Sequence, residues 1–121
     1  MVKALFDTNI LIDYLNAEPQ ARDELRRFST KAISIVTWME VMVGARADVA
    51  KQTRGFLASF ETIDLDLAVA ERAVGLRKTH RIKLPDAIVW ASAQENAMLL
   101  VTRNTKDFPA SDPGIRHPYT L

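Results

Sequence analysis

Three acids stand at places where a fold of alternating strands and helices concentrates its chemistry. Asp7 follows an apolar run at residues 2 to 6, Glu40 follows a second run at 32 to 36, and Asp86 opens a segment leading to a run at 98 to 102. Each run is short and rich in β-branched or large residues, which predicts strands. Beyond the carboxyl ends of parallel strands the loops diverge and helix N-termini point inward, so ligands bind there. Asp7 and Glu40 fall at that edge by chain order, and Asp86 joins them if its helix docks with its N-terminus on the same side. Two carboxylates ~4 Å apart oppose each other by about 4 kcal/mol at an effective dielectric of about 20, so such a cluster calls for a cation. With no cysteine and only two histidines in the chain, the donors are oxygens, which selects a hard ion, Mg²⁺ or Mn²⁺. That ion supports hydrolysis of a phosphodiester, by acidifying a bound water and stabilising charge that develops on phosphate.

Each acid also has a reading as helix-end chemistry. Thr37 and Glu40 have the spacing of a capping box. Asp86, beside Pro85, complements a helix dipole in a first turn. Asp7 can cap the helix that follows it. Convergence of all three on one edge is what favours a site. His80 and His117 offer a different route, a metal-independent ribonuclease in which one group deprotonates a 2′-hydroxyl and another protonates the leaving oxygen. Asp64 and Asp66 read as a strand terminus and a helix cap. Trp38, Met39, Met42 and Trp90 could stack a base, but apolar residues on helices more often form core or a subunit interface; an exposed Trp38 and Met42 patch would suit a second subunit or a partner helix. A phosphatase with an aspartyl nucleophile also starts with a strand ending in Asp, but it needs a second acid two residues on, where Asn9 stands.

The elements that must position these residues follow from length and pattern. A chain of 121 residues, 48% hydrophobic, is enough for one core, so a single domain over 1–121 is expected. Strand-like runs at 2–6, 32–36, 61–65 and 98–102, with a weaker one at 115–117, alternate with helical segments. The expected class is therefore α/β, a three-layer α/β/α sandwich with a mainly parallel central sheet. Helices are expected at 9–15, from Pro19 onward with Leu25 and Phe28 as its apolar stripe, over 38–47 and 49–60 as a hairpin, from 67 to about 78, and from 85 to about 96. The fifth of these places Ala70, Ala73, Val74 and Arg77 at helical spacing, and the last is expected to bury Ala87, Ile88 and Ala91. The 16 Lys and Arg nearly cancel the 15 Asp and Glu, so a polyanion has to be held by a local basic patch. Arg77, Lys78, His80, Arg81 and Lys83 form the densest one, just before Asp86; it reads either as a phosphate grip or as a solvated loop. The lack of cysteine rules out a disulfide framework and thiolate zinc, and fits a reducing compartment. No segment approaches the ~20 apolar residues of a membrane span, and an acid interrupts the first apolar run, so a cytoplasmic protein with no membrane association is expected.

Four blocks then resemble a known family. Leu5-Phe6-Asp7-Thr8-Asn9-Ile10-Leu11-Ile12-Asp13 resembles the opening motif of PIN-domain nucleases, Thr37-Trp38-Met39-Glu40-Val41-Met42-Val43-Gly44-Ala45 their second, and Leu84-Pro85-Asp86-Ala87-Ile88-Val89-Trp90-Ala91-Ser92-Ala93 their third. Val101-Thr102-Arg103-Asn104-Thr105-Lys106-Asp107-Phe108 is similar to the fourth. The blocks stand in family order across nearly the whole chain, and its compactness makes it most similar to the VapC-type toxins of toxin-antitoxin pairs. The resemblance implies a Mg²⁺-dependent endoribonuclease acting on RNA, a homodimer, and an antitoxin that holds it inactive. It makes Asp7, Glu40 and Asp86 the metal-binding carboxylates, with Asp7 and Asp86 the direct ligands, and Thr8, Asn9 and Thr102 polar support. The fourth block departs from the acidic version of the pattern: Asn104 stands where many relatives carry an acid, and brings no charge. Asp107 either compensates or is a turn residue before Phe108. One well-held metal is therefore expected, with a second only when substrate phosphate completes its shell. Lys78, Arg81, Lys83 and Arg103 are the expected RNA contacts. A catalytically inactive PIN-like binding module is the other class to separate from this one.

Overall fold

The computed structural model describes residues 2–121. Five parallel strands, β1 (Ala4–Phe6), β2 (Lys31–Ser34), β3 (Glu61–Ile63), β4 (Leu99–Val101) and β5 (Ile115–Arg116), form one sheet in the order β3-β2-β1-β4-β5. Six helices connect and cover them: α1 (Thr8–Leu15), α2 (Pro19–Arg26), α3 (Ile35–Gly44), α4 (Ala50–Leu57), α5 (Leu67–His80) and α6 (Leu84–Glu95). Parallel neighbours need long crossovers, and the helices supply them. Because successive strand residues point to opposite faces, β1 feeds two cores. Ala4 and Phe6 pack with Ile10 and Leu11 of α1, Leu25 of α2, Val41 of α3 and Leu57 of α4. Leu5 packs on the other side with Val69 and Ala73 of α5 and with Ala87, Trp90 and Ala91 of α6. The result is the α/β/α sandwich that the alternating pattern predicts.

The chain runs outward from β1 through β2 to β3, then returns to place β4 on the other side of β1. The strand order therefore reverses between β1 and β4, where loops leave in opposite directions and open a crevice. Phe6 and Val101 are paired there, and the Asp7 N–H donates to the Val101 carbonyl at 2.9 Å. The residues just past these two strand ends, Asp7 and Thr102, are thus set side by side.

Several expectations are corrected. Residues 35 and 36 are the first turn of α3 and not the end of a strand, because Ser34 caps that helix and its hydroxyl accepts the Val36 N–H at 3.1 Å. Thr37 and Glu40 consequently form no capping box: Thr37 is buried inside the helix and Glu40 lies one turn further on. The buried side of α5 carries Val69 and Ala73, and Val74 is exposed, so its apolar stripe is rotated from the expected one. Ile88 of α6 is only partly buried, and Val89 and Trp90 take its place in the core. Phe28 lies beyond the end of α2 but still packs edge-on against Phe6, with ring centroids 5.8 Å apart. Among the described residues no helix is long and apolar enough to cross a membrane.

Candidate active site

Asp7, Glu40 and Asp86 line one open cleft of about 400 Å³, together with Thr8, Asn9, Ile12, Arg103 and Asn104. Each acid arrives on a different element. Asp7 is the N-cap of α1, its Oδ1 accepting the Thr8 N–H at 2.8 Å. The capping and site readings of Asp7 are therefore both realised, since one carboxylate oxygen binds the helix end while the group as a whole faces the cleft. Asp86 lies in the first turn of α6, whose N-terminus points to the same edge. Glu40 reaches the cleft from the second turn of α3, with its Oε1 accepting the Thr8 hydroxyl at 2.6 Å.

A polar frame fixes Asp7. Thr102 Oγ1 donates to Asp7 Oδ2 at 2.8 Å, and Asn9 Nδ2 lies 3.3 Å from the same oxygen and 3.2 Å from Thr102 Oγ1. Thr102 in turn accepts the Asn104 N–H at 3.0 Å. With the Thr8 N–H, three donors occupy three of the roughly four acceptor positions of a carboxylate, leaving room for a single further ligand. Thr8 Oγ1 also lies 3.1 Å from Thr37 Oγ1, which links Asp7, Glu40 and buried Thr37 through one residue. Of the residues expected as polar support, Thr8, Asn9 and Thr102 each hydrogen-bond to Asp7.

Electrostatics matches this geometry. Burial pushes the Asp7 carboxyl up to about 6, against its hydrogen bonds from Thr102 and Thr8, and nearby Asp86 and Glu40 raise it further. Asp86 is also raised, first by burial, then by Asp107 and Glu40, with Lys83 pulling the other way. Asp7 therefore feels the charge of Asp86 and Glu40, and Asp86 that of Glu40. Asn104 and Asp107 close a ring, Asn104 Nδ2 donating to Asp107 Oδ2 and the Asp107 N–H donating back to Asn104 Oδ1, both at 3.0 Å. Asn104 lines the cleft, and Asp107 meets it through its charge on Asp86.

The donor set suits a hard divalent cation. The lining offers carboxylate, hydroxyl and amide oxygens, with no imidazole or thiol. Among the described residues no three acids or imidazoles close tightly on one point. The cleft is thus an acidic surface and not a finished cage.

Other expected residues lie elsewhere or are engaged differently. Lys78 and Arg81 are exposed at the end of α5, and Lys83 stands at the N-cap position of α6 without a side-chain capping bond, its charge acting on Asp86. Arg103, expected to contact phosphate, instead directs Nε and Nη2 to Asp13, at 2.5 and 2.8 Å. His80 packs against the Trp90 ring, centroids 4.7 Å apart, and neither it nor His117 lines the acidic cleft. Asp66 caps α5 through the Val69 N–H. Trp90 is core, which removes it as a base-stacking surface, and Trp38 lies under the Arg54 guanidinium. The exposed apolar residues of α3 are Met39 and Val43, with Met42 packed against the core. Two buried acids escaped the sequence reading: Asp13, held by Arg103 and Tyr119, and Glu24, held by Arg116 at 2.6 and 3.0 Å. The available signal was an acid on the inward side of each of two short helices.

Comparison with known proteins points to one family. The sequence profile of the family described as PIN domain matches residues 4–111. Ribonuclease VapC10 of Mycobacterium tuberculosis is 33% identical over 113 residues, spanning 87% of this chain and 85% of that protein. Among solved structures, a toxin-antitoxin complex from Klebsiella pneumoniae contains a chain 47% identical, with TM-score 0.94 over 98% of this chain and 100% of that one. DNA-bound VapBC from Salmonella typhimurium contains another, 26% identical, with TM-score 0.76 over 96% of each chain.

Proposed function

From the premise that this chain belongs to the PIN-domain family, among its VapC ribonucleases, we propose that it is the Mg²⁺-dependent endoribonuclease toxin of a toxin-antitoxin pair. The observation that carries this reading is the convergence of Asp7, Glu40 and Asp86 on one cleft at the point where the strand order reverses. Asp7 and Asp86 are the ligands, and Glu40 assists. Mg²⁺, or Mn²⁺ in its place, supplies neutralisation of the cluster, an acidified water and stabilisation of charge developing on phosphate.

The chain's own residues prepare for that ion. Thr102, Asn9 and the Thr8 N–H hold Asp7 so that one acceptor position stays free. The Thr8 hydroxyl anchors Glu40, whose long side chain is otherwise free to leave the cleft. Asn104 and Asp107 brace each other beside Asp86, leaving a second ion to be completed by substrate phosphate. Lys78, Arg81 and Lys83 hold the RNA backbone along the approach to α6. The protein acts as a homodimer in the cytoplasm and is restrained by an antitoxin protein; the likeness to a chain of a toxin-antitoxin complex supports the last point.

The test is cleavage of an RNA oligonucleotide by purified protein. Activity is expected with Mg²⁺ or Mn²⁺, none in EDTA, and a loss of at least 100-fold in Asp86→Asn, the order of effect for removing a group that stabilises transition-state charge. Cleavage that survives both the chelator and Asp86→Asn overturns the reading. An intact fold with no cleavage and no Mg²⁺-linked rise in melting temperature identifies a binding module instead.

A further inference from the structure

Asp13, a residue of α1 outside the acidic cleft, is a buried charge with a full set of partners. Its Oδ2 accepts Arg103 Nε at 2.5 Å and the Tyr119 hydroxyl at 2.7 Å, and its Oδ1 accepts Arg103 Nη2 at 2.8 Å. The Asp13 side chain is 7% exposed. A bidentate guanidinium with a hydroxyl completes the shell that a desolvated carboxylate requires.

What this cluster touches gives it a role. Asn9 and Asp13 are four residues apart on α1 and so share one face of that helix. Arg103 meets both, its guanidinium on Asp13 and its backbone N–H on Asn9 Oδ1 at 3.1 Å. The loop after β4 is thereby stapled along α1 at two points one turn apart. The second staple fixes the Asn9 amide: with Oδ1 held by Arg103, Nδ2 is turned toward Asp7 Oδ2 and Thr102 Oγ1. Arg103 itself follows Thr102, which donates to Asp7. Tyr119 brings the last residues of the chain onto the same acid.

Resting on the nuclease reading above, we propose that Asp13, Arg103 and Tyr119 are positioning residues for the acidic cleft. They lock the Arg103 backbone against Asn9 and so orient the amide that holds Asp7. Arg103 then serves the reaction through Asn9 and does not grip RNA. The two roles differ in what they move. A phosphate contact lowers KM and contributes to the salt dependence of binding, whereas a positioning group acts on kcat at constant salt dependence.

The experiment compares the parent with Asp13→Asn, Arg103→Lys and Tyr119→Phe, using RNA cleavage with Mg²⁺ across a salt series and amide hydrogen exchange of the metal-free proteins. In Asp13→Asn the expected result is a fall in kcat of about 10- to 100-fold, the range that small misplacements produce. KM should stay within about twofold, the salt slope should be unchanged, and exchange at the Arg103 N–H should accelerate. Arg103→Lys keeps the charge and loses the fork, and should follow Asp13→Asn. Tyr119→Phe removes one donor and should fall in the same direction by about threefold, which keeps the test open if Asp13→Asn does not fold. Unchanged kcat with tighter RNA binding in Asp13→Asn overturns the proposal, because it shows a released Arg103 acting on phosphate. Unchanged Arg103 exchange overturns it as well. If the parent cleaves no RNA, the nuclease reading fails while the exchange result still decides whether Asp13 fixes the loop.

Discussion

Asp7 carries the conflict on which the site is built. Its carboxyl is 5% exposed and its proton affinity is raised from the ordinary 3.8 to about 6. The folded state thus binds a proton more tightly than the unfolded state, and Asp7 costs stability as pH rises from about 4 through 6, in all about 3 kcal/mol. On the proposed reading, a cation in the cleft would offset that cost at neutral pH. Melting the metal-free protein and Asp7→Asn side by side tests this: the variant should gain on the parent between pH 5 and pH 7.5, and Mg²⁺ should raise the parent's melting temperature less at pH 5. A gap that does not change with pH contradicts the account. Asp7 and Asp86 were legible in the sequence because each stands beside a strand or a helix start, where local pattern is informative, whereas Glu40 lies a turn inside α3 and stood out only by following the second apolar run. Asp13 was not legible, because what satisfies it, Arg103 and Tyr119, lies about 90 and 106 residues away in the chain. An acid on the inward side of α1 is the local signal, and it does not name its partners.

At the scale of elements, strands were read well and helix phase less so. Short apolar runs bounded by polar residues marked β1 to β4, and even the two-residue β5 left a trace. In α5, apolar side chains are scattered around the axis, with Leu67 and Val74 exposed while Val69 and Ala73 are buried, so periodicity alone could not choose its inward face. The start of α3 was hidden because its first turn, Ile35 and Val36, is as β-branched as the strand before it. Helix ends hold a further feature. Both α1 and α6 finish in Schellman turns in which an alanine takes the left-handed position: Ala17 at φ 63 and Ala97 at φ 53. After α6, Met98 N–H donates to Ala93 and Ala97 N–H to Gln94; after α1, Glu18 N–H donates to Asp13 and Ala17 N–H to Tyr14. A side chain in that conformation costs about 1–2 kcal/mol, more than the extra freedom glycine brings to the unfolded chain. Ala97→Gly and Ala17→Gly should therefore each stabilise by about 0.5–1 kcal/mol and raise the melting temperature by a few degrees. A decrease in either contradicts the strain argument.

For the whole molecule, charge balance limits how a polyanion could be held. With a net charge of +1, the protein has no strong field to steer one, and on the proposed reading RNA binding would rest on the basic residues beside α6. Replacing Lys78, Arg81 and Lys83 together by Gln should raise KM about 10-fold or more, leave kcat nearly unchanged, and reduce the salt slope by about 2, at ~0.7 per contact for single strands. An unchanged slope means that another surface carries the RNA. The fold brings an acidic cleft and this basic approach to one edge of a sheet, but the reaction is decided in the cleft. The chemical nature of the cut ends tests that most directly. If Asp7 and Asp86 hold a cation that activates water, as proposed, hydrolysis would leave a 5′-phosphate and a 3′-hydroxyl on the products. End-group analysis of RNA cleaved with Mg²⁺ is expected to find these, and none of them in Asp86→Asn; a 2′,3′-cyclic phosphate that persists in EDTA would contradict the account.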